Sequence, residues 1–482
     1  MTNRKAALVT VALTSLLASC TVGPKYTKPT VPVAPAYSEQ PPASYTEAPG
    51  WKAAQPSDAT LRGDWWNLFS DPELAALEAQ VPVANQTLRA AEASFRQAKA
   101  AIRFNRAALY PTISVAPDIS SNRLSANNPV SARGGQTYGG FALPVDVSYE
   151  ADLWGRIRRA ITAARENYQA AAADLENVKL ILQSELAIDY FEAHSLDAQK
   201  ELLDNNVLAF EKALQLTQNR YNGGVASKAE VMQAQTQLDQ TQALDIDVGA
   251  ARAEYEHAVA VLIGKDPEAF KLPVVPLKRM PPIIPTGLPS QLLERRPDIA
   301  IAERRMAAQN EQIGIARAAF FPQLLITATG GLQSGSIVDW FTWPSRYWAV
   351  GPQLAQFIFD AGRRRAQLES VEAGYDITVA DYRQSTLTAF REVEDNLAVL
   401  RILEQESAKQ QEAIAAAENS VELAINRYKG GLVTYLEVIT AQNIALNNQR
   451  TGVDLIRRRM DASVLLIRAL GGGWDTTKLP QS

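Results

Sequence analysis

The sequence predicts a mainly α-helical chain that carries a few membrane-type β-strands and consists of two copies of one unit. Three observations predict it. Asn219-Arg220-Tyr221-Asn222-Gly223-Gly224 returns 207 positions on as Asn426-Arg427-Tyr428-Lys429-Gly430-Gly431, and Gly155-Arg156, Glu230-Val231, Ala234-Gln235 and Gly264 return at the same offset. Proline is absent from 155–221 and from 362–428, so each 67-residue stretch can form one helix of about 100 Å at ~1.5 Å per residue. Short stretches ahead of each helix alternate apolar and polar residues with period two, the pattern of strands that face lipid on one side. The repeat is far longer than the roughly 20–50 residues of a solenoid or propeller unit, so each copy is a large supersecondary unit.

Residues 1–19 read as a secretory signal peptide. Arg4 and Lys5 precede an apolar run from Ala6 to Leu17 that is too short to span a bilayer as a mature helix, and small residues follow. Leu17-Ala18-Ser19-Cys20 resembles the bacterial lipoprotein box, in which the cysteine becomes the mature N-terminus and carries lipid. Thr21 after it, rather than aspartate, implies sorting to the outer membrane. Cys20 is the sole cysteine, so no disulfide is available. Without Arg4 and Lys5 the balance moves from 48 − 52 = −4 to 46 − 52 = −6, and this acidity argues against a nucleic-acid partner.

Residues 20–70, rich in Pro, Ala and Thr, read as a lipid-anchored extended segment. The first repeat, 71–266, opens on Asp71-Pro72, a cap followed by a first-turn proline. Its helix has a possible break near Pro82 and ends at Tyr110-Pro111. One strand stretch follows over Ile113 to Ile119, and a second places Phe141, Leu143, Val145, Val147 and Tyr149 on one face. The second repeat, 297–473, repeats the plan with strands over Gln323–Leu332 and Tyr347–Phe359. After each Gly-Gly turn a return helix of about 39 residues runs from Val225 or Leu432. Stacked end to end with the pre-strand helix of its own repeat, it matches the long helix in length. Leu203, Val207, Phe210, Leu214, Thr217 and Tyr221 follow the 4-3 spacing of a left-handed coiled coil. The eight prolines between Pro267 and Pro297 mark a linker, 267–296, wrapping the waist, and 474–482 is a tail.

No catalytic constellation, phosphate loop or Cys/His metal cluster is present in the sequence. His194 and His257 stand alone on helices as packing or surface residues, so neither enzyme activity nor a metal or other cofactor beyond lipid on Cys20 is expected.

Cys20, two strand pairs, duplicated long helices, Arg427-Tyr428-Lys429-Gly430-Gly431 and Ala469-Leu470-Gly471-Gly472-Gly473-Trp474 together resemble the outer membrane factor (TolC-like) family. The chain is most similar to its lipoprotein branch, which serves resistance-nodulation-division (RND) efflux pumps. The resemblance implies a homotrimer in the outer membrane of a Gram-negative bacterium. Each protomer would give four strands to one twelve-stranded β-barrel, continued by a long α-helical barrel into the periplasm. It implies a passive exit duct for drugs or other small toxic compounds, opened by a periplasmic adaptor and powered by an inner-membrane RND pump. A duct for polypeptide secretion and a structural periplasmic coiled-coil lipoprotein are the alternatives.

By the same resemblance the periplasmic gate falls at the Gly-Gly tips. The latch tyrosine maps to Tyr428, with Tyr221 its match in the first copy, and the acidic partner to Glu230. An aperture leucine maps to Leu436 and an aperture carboxylate to Glu437. Thr440 stands where relatives often have a second aspartate, and Val433 and Asn443 stand where some have arginine, which implies a less ionic latch. Adaptor docking maps to Gly223, Gly224 and Val225 and to Gly430, Gly431 and Leu432. Where the copies differ, Leu436 against Ala229, the second tip is the better gate candidate.

Overall fold

The computed structural model describes residues 21–43, 63–127, 135–284 and 289–480. Cys20, the signal segment and 44–62 lie outside the described residues. In chain order the regular elements are α1 (Pro72–Glu78), α2 (Val81–Ala84), α3 (Gln86–Ala107), β1 (Thr112–Val115), β2 (Asp118–Arg123), β3 (Thr137–Ala151), α4 (Arg156–Asn222), α5 (Lys228–Leu262), α6 (Pro289–Arg295), α7 (Pro297–Ala318), β4 (Gln323–Ser334), β5 (Arg346–Ala355), α8 (Arg363–Lys429) and α9 (Tyr435–Ala469). Asp71 accepts from Glu73 N and Leu74 N to start α1, and Asn85 accepts from Leu88 N to start α3 beyond the Pro82 break.

The strands form one antiparallel sheet of four positions, with β1 and β2 end to end along one edge of β3, then β4 and β5. β1 and β2 are the two halves of the expected first strand. Register is continuous across the gap, with Val115 facing Val145 and Asp118 facing Ala142. Pro117 and Pro144 lack the N–H groups that would close the ladder there. The register gives each face its chemistry. Ile113, Val147, Ala328 and Val350 line up across all four positions, as do Val115, Val145, Gly330 and Trp348. The opposite face aligns Ser114, Asp146 and Thr329, and the Thr329 hydroxyl donates to Asp146 at 2.6 Å. β5 is shorter than the expected strand to Phe359. β4 begins at Gln323, whose partner is Ala355, so Phe357, Ile358 and Phe359 have no strand to pair with and stand exposed.

Both long helices are continuous over 67 residues, and both return helices run 35. Both return helices start three residues later than expected, at Lys228 and Tyr435, because the chain needs Val225–Ser227 and Leu432–Thr434 to turn before the helix begins. Of the seam in α4, Leu203, Phe210 and Thr217 are buried, whereas Tyr221 is 40% exposed. No helix among the described residues is long and apolar enough to cross a membrane.

The end-to-end stacking is present in both copies. The Asn85 side-chain amide donates to Leu262 O at 2.9 Å, joining α5 to α3, and Arg296 donates to Ala469 O at 3.0 Å, joining α9 to α7. Gly264 and Gly471 make this possible. Both have positive φ, and a Cβ on either would lie 2.5 Å from Ala84 O or 2.1 Å from Arg295 O. Around these joints sits the main core, with Trp65, Leu74, Leu186, Phe191, Val259 and Ile467.

The linker crosses this level in extended form and ends in α6, a helix the proline count did not suggest. Leu277 N donates to His194 O, and Arg252 grips Asp197, Glu256 and Leu272 O, so His194 serves as a packing residue beside Asp197. The N-terminal segment lies extended against α4, α7 and α8. Arg159 donates to Pro24 O, Tyr26 to Glu303, and Arg401 to Glu39. In the tail, Trp474 is buried against Ala173, Ala300 and Ile301.

Candidate gate at the helical tips

Each tip is closed by the same hydrogen bonds. Gly223 N donates to Asn219 O, Gly224 N to Tyr221 O and Val225 N to Arg220 O. In the second copy Gly430 N, Gly431 N and Leu432 N do the same with Asn426 O, Tyr428 O and Arg427 O. The second glycine of each pair is left-handed, with φ 76° at Gly224 and 71° at Gly431. The first is not: φ is −81° at Gly223 and −73° at Gly430, and a Cβ there would make ordinary contacts from 3.5 Å. Val225 and Leu432, at 67% and 75% exposed, project from the turns. Ser227 caps α5 by accepting from Glu230 N, so Glu230 is held in the first turn of that helix.

The structure brings Tyr428 and Glu230 together. The Tyr428 hydroxyl donates to Glu230 Oε2 at 3.1 Å, from α8 of the second hairpin to α5 of the first. Burial raises the tyrosine's pKa, opposed by a hydrogen bond with the Thr217 side chain and reinforced by the adjacent carboxylate of Glu230. The ring is buried, lies 5.3 Å from the Tyr435 ring and has the Arg220 guanidinium 4.6 Å from its centroid. Burial pushes Tyr435 up to about 12. Arg220 also donates to Lys429 O at 3.2 Å, and Gln237 donates to Asn443 Oδ1 at 2.9 Å. These polar contacts and a cation–π contact therefore tie the two hairpins of the chain at the tip.

Of the remaining sites only Asn443 takes part in these ties. Tyr221 is exposed. Leu436 is 57% exposed, and Thr440, one turn on, donates its hydroxyl to Leu436 O at 2.8 Å. Asn443 continues the same stripe. Glu437 is engaged within its own hairpin by Arg427 at 2.6 Å, both side chains about half exposed. Positive charge is thus supplied at the tip by Arg220 and Arg427, a matched pair in the repeat, rather than from positions 433 and 443. Sequence reasoning missed both arginines as gate residues, and also Tyr435, whose counterpart in the first copy is Lys228. The Asn-Arg-Tyr match was the available signal, but sequence shows which face a long side chain leaves from and not how far it reaches.

The outer membrane efflux protein pattern matches residues 77–265 and 288–472, one stretch for each repeat. The chain belongs to the outer membrane efflux protein family. It is 33% identical over 481 residues to the outer membrane protein OprJ of Pseudomonas aeruginosa, covering 96% of this chain and 95% of that one. With the toluene efflux pump outer membrane protein TtgF of Pseudomonas putida it shares 32% over 469 residues, 97% of both chains. The solved outer-membrane channel OprN superposes with a TM-score of 0.84 at 27% identity, over 94% of this chain and 100% of that one. The family member described here is an outer-membrane efflux channel component. Its amphipathic sheet and long hairpins are the two parts such a channel needs.

Proposed function

We propose that three copies of this chain form one outer-membrane exit duct of a tripartite efflux pump. The observation that carries this is the sheet: four strand positions, apolar on one face and polar on the other, with β1/β2 and β5 at open edges. Open edges leave backbone groups unpaired, which lipid does not tolerate, and four strands cannot enclose a water-filled lumen. A homotrimer closes both edges in a twelve-stranded barrel and sets six helical hairpins around one axis below it.

The two tips are the periplasmic gate, with Tyr428 and Glu230 as latch and Leu436, Glu437, Thr440 and Asn443 along the aperture. Tyr221 faces the neighbouring protomer. The tips also dock the adaptor that couples the duct to an inner-membrane RND pump. Gly223 and Gly430 support this, because their own backbone conformation does not require glycine and a close-approaching partner does. Lipid on Cys20 anchors the duct. In support, Thr21 packs against Gly155 where β3 gives way to α4, and Val22 N donates to Trp154 O at 3.1 Å. Relatives named for toluene and antibiotic efflux favour small apolar toxicants over polypeptides as cargo.

The test is reconstitution of the purified full chain into planar bilayers, with mass measured in detergent. A trimer giving discrete single-channel currents is expected. A monodisperse monomer without conductance would overturn the reading.

A further inference from the structure

We propose that the groove behind the tip tyrosines is a binding site for a small aromatic or alicyclic molecule that carries a hydrogen-bond donor. The groove has a volume of about 410 Å³ and lies between α4 of the first hairpin and α8 and α9 of the second. That is the size of pockets that bury small organic ligands, and it is far larger than a packing defect. Phe210, Tyr428, Tyr435 and Val438 form its apolar walls.

One polar group in the lining is unsatisfied. Gln442 is 5% exposed, and its Oε1 has no hydrogen-bond partner among the described residues. A buried acceptor left without a donor is unfavourable, so a ligand that offers an N–H or O–H to this oxygen gains from a cost the protein already carries. The duplication sharpens the point. The counterpart of Gln442 is Gln235, which is half-buried and donates to Asp239 at 2.7 Å. Where the first copy has a half-buried glutamine paired with a carboxylate, the second has a buried one whose oxygen is unpaired at the wall of a cavity. Lys212, Lys429 and Glu418 also line the groove, two positive groups and one negative, so a cationic ligand is disfavoured.

The walls come from both hairpins, so the site exists while the tips are held as described, and a bound molecule favours that state. This consequence for gating rests on the gate reading; the binding itself does not.

The probes are 5-bromoindole, which has an apolar body with one N–H, and 5-bromobenzothiophene, of the same shape without the donor. Crystals of the full-length protein soaked in 5-bromoindole should show a bromine anomalous peak in the groove. In solution, binding of 5-bromoindole should exceed that of 5-bromobenzothiophene by about tenfold. Gln442→Leu should erase that preference while 5-bromobenzothiophene still binds, which also shows that the variant keeps its fold. Equal binding of the two probes to the natural chain, or bromine located elsewhere, would overturn the site. Single-channel recording separates the two readings: binding with no change in open probability keeps the site and refutes the gate.

Discussion

Tyr428→Phe removes one hydroxyl from the tip and leaves everything else in place. The ring still packs on Tyr435 at 5.3 Å and under Arg220 at 4.6 Å, so the change removes only what the hydroxyl bonds, Glu230 and the Thr217 side chain. Hydrogen bonds to charged partners contribute roughly 1.5–3 kcal/mol when well buried. Here the donor is buried but Glu230 is half-exposed, and discounting for solvent leaves about 1 kcal/mol per protomer. Three copies in the proposed trimer give about 3 kcal/mol, or a shift of roughly 150-fold in the closed-to-open ratio. Single-channel recording of open probability is the assay, run as a double-mutant cycle with Glu230→Gln. Because both changes break the Tyr428–Glu230 bond, the double variant should gate much like Tyr428→Phe alone. Gating by Tyr428→Phe indistinguishable from the natural chain, or strictly additive effects, would refute the latch.

The other predictions concern the waist, the turns and the anchor. Burial, then Glu185 and Glu192, pushes Asp189 up to about 7, and burial, then Glu192, pushes Asp461 up to about 7 in spite of Arg457. Folded values raised above the unfolded ones stabilise at low pH, and that contribution is lost as pH rises through about 7. Thermal melts should therefore be higher near about pH 5.5 than near about pH 8, and Asp461→Asn should flatten the difference. Arg252→Met strips a shared partner from Asp197 and Glu256, whose side chains are 3% and 4% exposed. It should cost about 3 kcal/mol in urea unfolding and open 270–284 to limited proteolysis. Gly431→Ala should lower turn stability by about 1 kcal/mol because of its positive φ. Gly430→Ala should leave the melt unchanged while reducing drug resistance in a strain dependent on this pump. Cys20→Ser should abolish labelling by radioactive palmitate.

Much of this architecture was legible in the sequence, because duplication and proline absence are strong signals. The long helices lie within one residue of the expected limits, and the break at Pro82 is where proline puts it. Strand limits were less legible. The alternation through Phe359 is real, but a strand ends where its neighbour does, and β4 begins opposite Ala355. In the linker, the proline count hid a helix, because Pro289 takes the first turn of α6, where a missing N–H costs nothing. At the tip, the Tyr428–Glu230 contact was reached through family resemblance. The burial of Gln442, the Arg427–Glu437 pair and the turn of Tyr221 to solvent depend on how the hairpins lean together, and no local pattern encodes that.

The joints at Asn85–Leu262 and Arg296–Ala469 have a mechanical consequence. Each wall segment pairs a continuous strut, α4 or α8, with a jointed one, and the lower member of each jointed strut is a 35-residue arm. At ~1.5 Å per residue that arm is about 50 Å long, so a swing of about 5° at the joint displaces its tip by about 4 Å. The joints, set in the main core, would then act as the fulcrum of a long lever, and in the proposed trimer the mouth would change diameter by several ångströms without any helix unwinding.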